Sequence, residues 1–235
     1  MGKELYLLNL GLEPYNQALD LQHRLVAARR EGRIEDVLIL LEHPPVITLG
    51  RRGDESNIVA SRELLACLGI EVHRVERGGD VTYHGPGQLL GYPILDLRGY
   101  RQDVGWYMHS LEEVLIRALA DFGVEAGRLE GRIGVWVGDK NIAALGARIE
   151  EWITYHGFAL NVSPDLSHFD FIIPCGYKGI GVTSMEEVLG EAPEMSEVRK
   201  SVAQRFGEVF GVEMRRATLE EFFSGRGDFG SCQGG

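Results

Sequence analysis

A single cysteine stands in Pro174-Cys175-Gly176, at the end of the apolar run Phe171-Ile172-Ile173 and ahead of Gly179, Gly181 and Val182-Thr183-Ser184. The proline cuts a strand-like segment. The glycines leave room for a substrate to approach and for backbone N–H groups to converge, the local design that a thiol attacking a carbonyl needs, because the developing negative charge must be held. A buried structural cysteine is the plainer alternative. A thiol with a reference pKa of about 8.5 is little ionised at neutral pH, so a nucleophilic Cys175 requires a cation or base beside it. Lys140, His84 and His156 are candidates. Lys140 could equally be a hairpin-turn lysine in Gly138-Asp139-Lys140-Asn141, and either histidine could satisfy a buried backbone group. Lys178, close after Cys175, is a reserve.

The second chemical feature is Arg77-Gly78-Gly79-Asp80-Val81-Thr82-Tyr83-His84-Gly85-Pro86-Gly87-Gln88-Leu89, four glycines and a proline among polar side chains. This density suits a loop that brings backbone N–H groups close to a ligand, with Arg77 and His84 placing polar ends around it. The other two thiols read differently. Cys67 lies at helical spacing from Leu64, as a core residue would, and Cys232 lies in a Gly-rich tail. Three scattered cysteines make no disulfide framework, and no Cys/His spacing suits zinc, so no metal and no cofactor are expected.

These residues must be held by a scaffold of mixed helices and strands. Strands are expected at residues 3–10, 37–41, 46–49, 72–75, 89–97, 134–137, 142–149, 154–162 and 212–216. Helices are expected at 14–30, at 61–68 with Ser61 as N-cap and Gly69 beyond its end, at 104–122, and at 195–210 with Ser196 as cap. Without a βαβα repeat, the order argues α+β with a largely antiparallel sheet. At 235 residues and 44% hydrophobic content, the chain can bury one substantial core. One catalytic domain is expected over 1–222, with room for a small C-terminal lobe from about residue 185, followed by a flexible tail over 223–235.

A net charge of -11 argues against nucleic acid as a partner, since phosphate neutralisation needs a basic face. Arg51, Arg52, Arg74 and Arg77 could still form a local patch for an acidic partner, or be solvated surface charges. The N-terminal residues lack the build of a signal peptide, Tyr6 is wrong for myristoylation, and no apolar run approaches the ~20 residues of a membrane span. A cytoplasmic protein with no membrane partner is expected.

Five blocks in order carry a family resemblance: His43-Pro44-Pro45-Val46-Ile47-Thr48-Leu49-Gly50-Arg51, the 77–89 loop, Ala143-Ala144-Leu145-Gly146-Ala147-Arg148, His156-Gly157-Phe158-Ala159-Leu160-Asn161, and Pro174-Cys175-Gly176 with Val182-Thr183-Ser184. The sequence resembles the octanoyltransferases of lipoate biosynthesis, the lipoyl(octanoyl) transferase or LipB family. The resemblance implies an α+β fold like that of biotin and lipoate protein ligases, a mixed, largely antiparallel sheet flanked by helices. It implies that Cys175 takes octanoyl from octanoyl-acyl carrier protein as a thioester. The acyl group would then pass to a lysine on the lipoyl domain of a 2-oxoacid dehydrogenase complex or on the glycine cleavage H protein. It also implies a substrate pocket lined by Arg77, Gly78, Gly79, Asp80, Val81, Thr82, Tyr83, His84, Ala144, Leu145, Gly146, Gly157, Phe158 and Ala159.

One departure stands out. The family's lysine paired with the nucleophile immediately precedes the Ile-Ala-Ala block, whereas here Asn141 fills that position and Lys140 lies one residue earlier. In a regular strand that offset reverses the face. Lys140 is expected to act as acid/base if a bulge or turn returns it to the cleft. Otherwise the thiolate is stabilised by another group, or activity is weakened. Two other readings compete: an ATP-dependent lipoate, octanoate or biotin ligase of the same fold, which Gly50-Arg51-Arg52-Gly53 faintly resembles, and a non-catalytic acyl or lipoyl-domain binding protein.

Overall fold

A computed structural model describes residues 3–173 and 181–224. Cys175 and Lys178, Cys232, and the tail beyond residue 224 lie outside the described residues. The elements run β1 (Lys3–Leu12), α1 (Tyr15–Arg30), β2 (Asp36–Glu42), β3 (Val46–Leu49), α2 (Arg62–Cys67), β4 (Glu71–Arg74), β5 (Val81–His84), β6 (Gln88–Ile94), α3 (Val104–Ala120) and β7 (Gly127–Leu129). They continue with β8 (Arg132–Val137), β9 (Lys140–Glu150), β10 (Ile153–Asn161), α4 (Met185–Leu189), α5 (Met195–Phe210), β11 (Val212–Ala217) and α6 (Leu219–Phe223).

An eight-stranded sheet has the order β11-β1-β2-β6-β10-β9-β8-β7, and a three-stranded sheet the order β4-β3-β5. In the large sheet only β1 pairs in parallel, with β11 and β2; every other neighbour is antiparallel. Strands β2 and β6 read as nearly continuous apolar runs because helices cover both faces. On one face, Leu7, Leu38, Leu40, Leu89, Phe158 and Leu160 pack against α3 and α5. On the other, Ile39, Leu41, Leu90, Tyr92 and Ala159 pack against α1 and α6. The C-terminal α5 and β11 thus close the core and one sheet edge.

Caps explain several boundaries, each worth about 1 kcal/mol. Ser61 accepts from Leu64 N, Asp103 from Trp106 N, and Ser184 from Glu187 N. Ser196 is not a cap. Helix α5 starts at Met195 behind Glu194, whose side chain makes no capping bond. Cys67 is exposed, not a core residue: α2 has six residues and buries only Leu65.

The 77–89 segment is not one loop. Residues 81–84 form β5, and its alternation sends Val81 and Tyr83 into the core of the small sheet with Ile47, Leu49 and Phe169. Among the described residues, no helix is long and apolar enough to cross a membrane.

Candidate active site

The small sheet abuts the α1 side of the large one through the segment before β5. Gly78 N donates to Ala147 O on β9 at 3.0 Å. Gly146 makes that approach feasible, because a Cβ there would lie 2.9 Å from Gly78 O and 3.4 Å from Arg77 Cδ. On the other side of the segment, Gly50, Arg51 and Arg52 donate their N–H groups to Asp80 O, Arg77 O and Gly79 O.

Arg77 is the pin of this junction. It is 8% exposed; its Nε and Nη2 donate to Thr48 Oγ1, Nη2 also to Thr48 O and Asp80 O, and Nη1 to Gly78 O. It therefore does not belong to a surface basic patch, and Arg74 of that expected patch is paired with Glu55. Asp80 is also structural, since its carboxylate accepts from Asp54 N and Asn57 Nδ2. Tyr83 bonds His168 Nδ1 at 2.7 Å, on the small-sheet side.

Alternation also divides the β9 and β10 candidates. Leu145 and Phe158 are cross-strand partners packed toward α3 and α5. Ala144 and Ala159, also partners, belong to the opposite face with the Gly146–Gly157 pair, where Arg77 and Gly78 lie. Of the fifteen residues expected in the pocket or dyad and described by the structure, Arg77, Gly78, Gly79, Thr82, His84 and Gly146 gather around the Arg77–Thr48 contacts and the Gly78 turn. Ala144 and Ala159 share the Gly146 face of their strands, and Gly157, the partner of Gly146, packs against Gly91 and Pro93 of β6. Val81, Tyr83, Leu145 and Phe158 are core residues on the far sides of their strands, and Asp80 braces the loop.

The strand does contain a bulge near Lys140. Val135 pairs with Ala143, Trp136 with Asn141 and Val137 with Lys140, so Ile142 is the extra residue. Partners share a face, and Val135 and Val137 pack toward α3 and α5. The bulge therefore brings Asn141, with Trp136, onto the Gly146 face and leaves Lys140 on the other. There Lys140 Nζ pairs with Glu187 Oε1 at 3.0 Å, and Glu187 Oε2 accepts from Thr183 Oγ1 at 2.6 Å. Those contacts, with the Thr183 hydroxyl the larger influence, hold the Glu187 carboxyl below the usual range. The bulge thus sets Lys140 on the face of Val137, while Cys175, the thiol it is expected to serve, lies outside the described residues. The same physical device restores the family's position, 141, which carries an amide.

Asn141 also fastens the chain that follows the Cys175 block. Its N–H donates to Gly181 O at 2.8 Å and its carbonyl accepts from Thr183 N at 3.0 Å. Its Nδ2 donates to Val135 O and Ala143 O, closing the bulge.

The two candidate histidines are neutral and poor matches for a thiol's base. His84 is held well below the ordinary range by burial, then by repulsion from His43 and Arg77. Burial, then Arg77, pushes His156 down to about 3. His156 also has φ 53°, rare for a residue with a Cβ, and its N–H donates to Gln22 Oε1 on α1. His43, bonded to Glu13 O and Tyr92 OH, is likewise pushed down to about 4 by burial.

The side chains that tie these pieces together are Thr48, Gln88, Asn161, Thr183 and Glu187, none of which stood out by residue type. The sequence signal was present for one of them: Ser184 followed by Glu187 has the spacing of a helix start. A surface groove of about 700 Å³ between α1 and α6, lined by Leu21, Arg24, Leu219 and Phe223 among others, contains none of the candidate residues. Among the described residues, no group of three or more His, Cys, Asp or Glu could hold a metal ion.

Comparison with known proteins gives a concordant picture. The model of the lipoyl protein ligase A/B catalytic domain matches residues 14–207. The protein named octanoyltransferase from Acidobacterium capsulatum is 54% identical over 222 residues, covering 88% of this chain and 90% of that one. A solved lipoate-protein ligase A bound with ATP superposes with a TM-score of 0.74 at 18% identity, over 93% of this chain and 90% of that one. The biotin protein ligase of Aquifex aeolicus in complex with biotin and ATP superposes at 0.53 and 15% identity, over 89% and 71%. At such identities the two ligases show a shared fold.

Proposed function

Because the chain belongs to the octanoyltransferase family, within the lipoyl protein ligase A/B catalytic-domain class, we propose that it moves an octanoyl group from octanoyl-acyl carrier protein to a lysine of a lipoyl domain through an acyl-Cys175 thioester. Family membership makes the chain an acyltransferase and implies lipoyl-domain proteins as acceptors in general. The 2-oxoacid dehydrogenase complexes and the glycine cleavage H protein are the acceptors proposed.

The chemistry balances without an energy donor. The Cys175 thiolate attacks the thioester carbonyl, the new C–S bond forms, and the carrier's thiolate leaves and takes a proton. The acceptor amine then attacks the acyl-enzyme, giving an amide and restoring the thiol. The second step is downhill because an amide replaces a thioester.

The observation that best supports this reading is the 54% identity, over 88% of this chain, to a protein named octanoyltransferase. Ala144 and Gly146 on β9 are proposed as the part of the lining beside the Arg77–Gly78 turn, with Gly157 and Ala159 on the neighbouring strand. Gly79, Thr82 and His84 complete the proposed lining. Lys140 enters in a different role, tying β9 to α4 through Glu187. With both histidines held neutral and Lys140 engaged on the other face, Lys178 is the lysine to test first as the proton acceptor.

Intact-protein mass spectrometry after incubation with octanoyl-carrier protein, without ATP, tests the reading. An octanoyl increment is expected on the wild type, Cys67→Ser and Cys232→Ser, and none on Cys175→Ser. Full transfer by Cys175→Ser would end it. A ligase would require ATP and form no acyl-cysteine. Asn141, in place of a lysine, is the feature that favours a non-catalytic binding protein, and the acyl increment would exclude that reading.

A further inference from the structure

A buried chain of side chains joins the two walls of the site, and its hydrogen-bond directions can be fixed from its Thr183 end. Asn161 Nδ2 lies 2.9 Å from Thr183 O, and a carbonyl only accepts, so Asn161 presents Oδ1 to its next neighbour. That neighbour is Gln88, whose Nε2 donates to Asn161 Oδ1 at 2.9 Å and to Tyr83 O at 3.2 Å. With both amide protons committed, Gln88 offers only Oε1 to His84 Nδ1, 3.1 Å away. An amide oxygen cannot donate. The proton of that contact therefore sits on His84 Nδ1, and Nε2 is left with a lone pair.

The other end closes in the same sense. Thr48 Oγ1 receives Arg77 Nε at 3.1 Å and lies 2.9 Å from Nη2, whose two protons are shared with the carbonyls of Thr48 and Asp80 at 2.7 and 2.8 Å. The hydroxyl thus keeps acceptor room, and with His84 Nε2 bare it acts toward that nitrogen as a donor. At 3.5 Å this contact is the loosest link. Donors thus run one way, from the Arg77 guanidinium through Thr48, His84, Gln88 and Asn161 to the carbonyl of Thr183. Bonds aligned in this manner polarise one another in a low-dielectric interior. His84, Gln88, Asn161 and Thr183 are all buried, so a reversed member would leave a neighbour unsatisfied.

We infer that His84, Gln88 and Asn161 are positioning residues, which lock His84 in its Nδ1–H form and hold the Arg77–Gly79 turn in fixed register with residues 181–183 behind the Cys175 block. The chain crosses from the small sheet (Thr48 on β3, His84 on β5) to β6 and β10 of the large one. It ends on a residue whose hydroxyl continues to Glu187 and whose N–H is held by Asn141. The two walls come from segments more than 100 residues apart, and this chain of buried side chains joins them. The consequence for turnover rests on the octanoyl-transfer reading; the tautomer does not.

Two measurements on the full-length protein keep these apart. Long-range ¹H–¹⁵N correlation spectra of ¹⁵N-histidine-labelled protein, with His84 assigned by its loss in His84→Gln, should show Nδ1 protonated and Nε2 bare at pH 7. In Gln88→Met, which keeps the length but removes the acceptor, the Nε2–H form should appear. A wild-type His84 carrying its proton on Nε2 overturns the inference, even if no variant folds, and so does an unchanged tautomer in Gln88→Met. In the second measurement, Gln88→Met should lower kcat for octanoyl transfer by about tenfold with KM for the carrier substrate within about twofold, as for a site held slightly out of place. Wild-type kcat in that variant overturns the positioning role. Absence of transfer by the wild type overturns the functional reading and leaves the tautomer result standing.

Discussion

Replacing Lys140 by methionine separates two roles that differ by orders of magnitude. Lys140 and Glu187 are each about half exposed, 48% and 46%, so their ion pair contributes below about 1 kcal/mol. If the pair only ties β9 to α4, Lys140→Met should lower the unfolding midpoint by a few degrees at most and slow acyl-enzyme formation by no more than about threefold, roughly 0.7 kcal/mol of barrier. Loss of a positioned proton-transfer group costs about 10²- to 10⁴-fold instead. The assay is rapid-quench mass spectrometry of octanoyl-Cys175, beside the pH profile of Cys175 alkylation. That profile should be unchanged in Lys140→Met. In Asn141→Lys, whose side chain leaves from the Gly146 face, it should move to lower pH. A hundredfold loss of acylation in Lys140→Met, with the alkylation profile moved upward, would refute the assignment of Lys140 to the far face.

Three buried histidines set the acid limit of stability. Because His43 and His156 are pushed down to about 4 and 3, and His84 also lies well below its ordinary value, the unfolded chain binds more protons than the folded one below about pH 6.5. Stability is present above that pH and falls toward pH 4 with a slope of about 4 kcal/mol per unit, close to three protons; urea unfolding between pH 7.5 and 5 measures it, and an uptake below one proton would contradict the burial argument. Gly146→Val should push the Gly78 carbonyl away and lower stability by about 1–3 kcal/mol together with acylation, whereas Gly11→Ala, in open space, should change neither in a thermal melt or an acylation assay. Arg77→Lys cannot reproduce a fork that serves Thr48 Oγ1, Thr48 O, Gly78 O and Asp80 O, so a loss of about 1–3 kcal/mol and faster amide exchange at residues 77–80 are expected. Unaltered exchange there would show that the turn holds itself.

The sequence by itself determined what is local or periodic. Helical spacing placed α1, α3 and α5, apolar runs placed β2, β6 and β10, and the caps at Ser61 and the glycine-rich density before Gln88 were readable residue by residue. The five ordered blocks also determined the family. The sequence left undecided which of two adjacent residues faces the site, because a strand's period of 2 makes every such assignment depend on register. Val81 and Tyr83 lie inside a polar, glycine-rich stretch yet turn into the small-sheet core, because β5 pairs with β3. Leu145 and Phe158 sit among pocket residues yet face α3 and α5. Lys140 and Asn141 exchange faces through one extra residue, Ile142, which becomes visible only when β9 is laid against β8. The chain from Arg77 to Thr183 is more remote still. Its members are ordinary Thr, Gln and Asn residues, and their meaning arises when two sheets pack and buried amides are left a single arrangement that satisfies every donor.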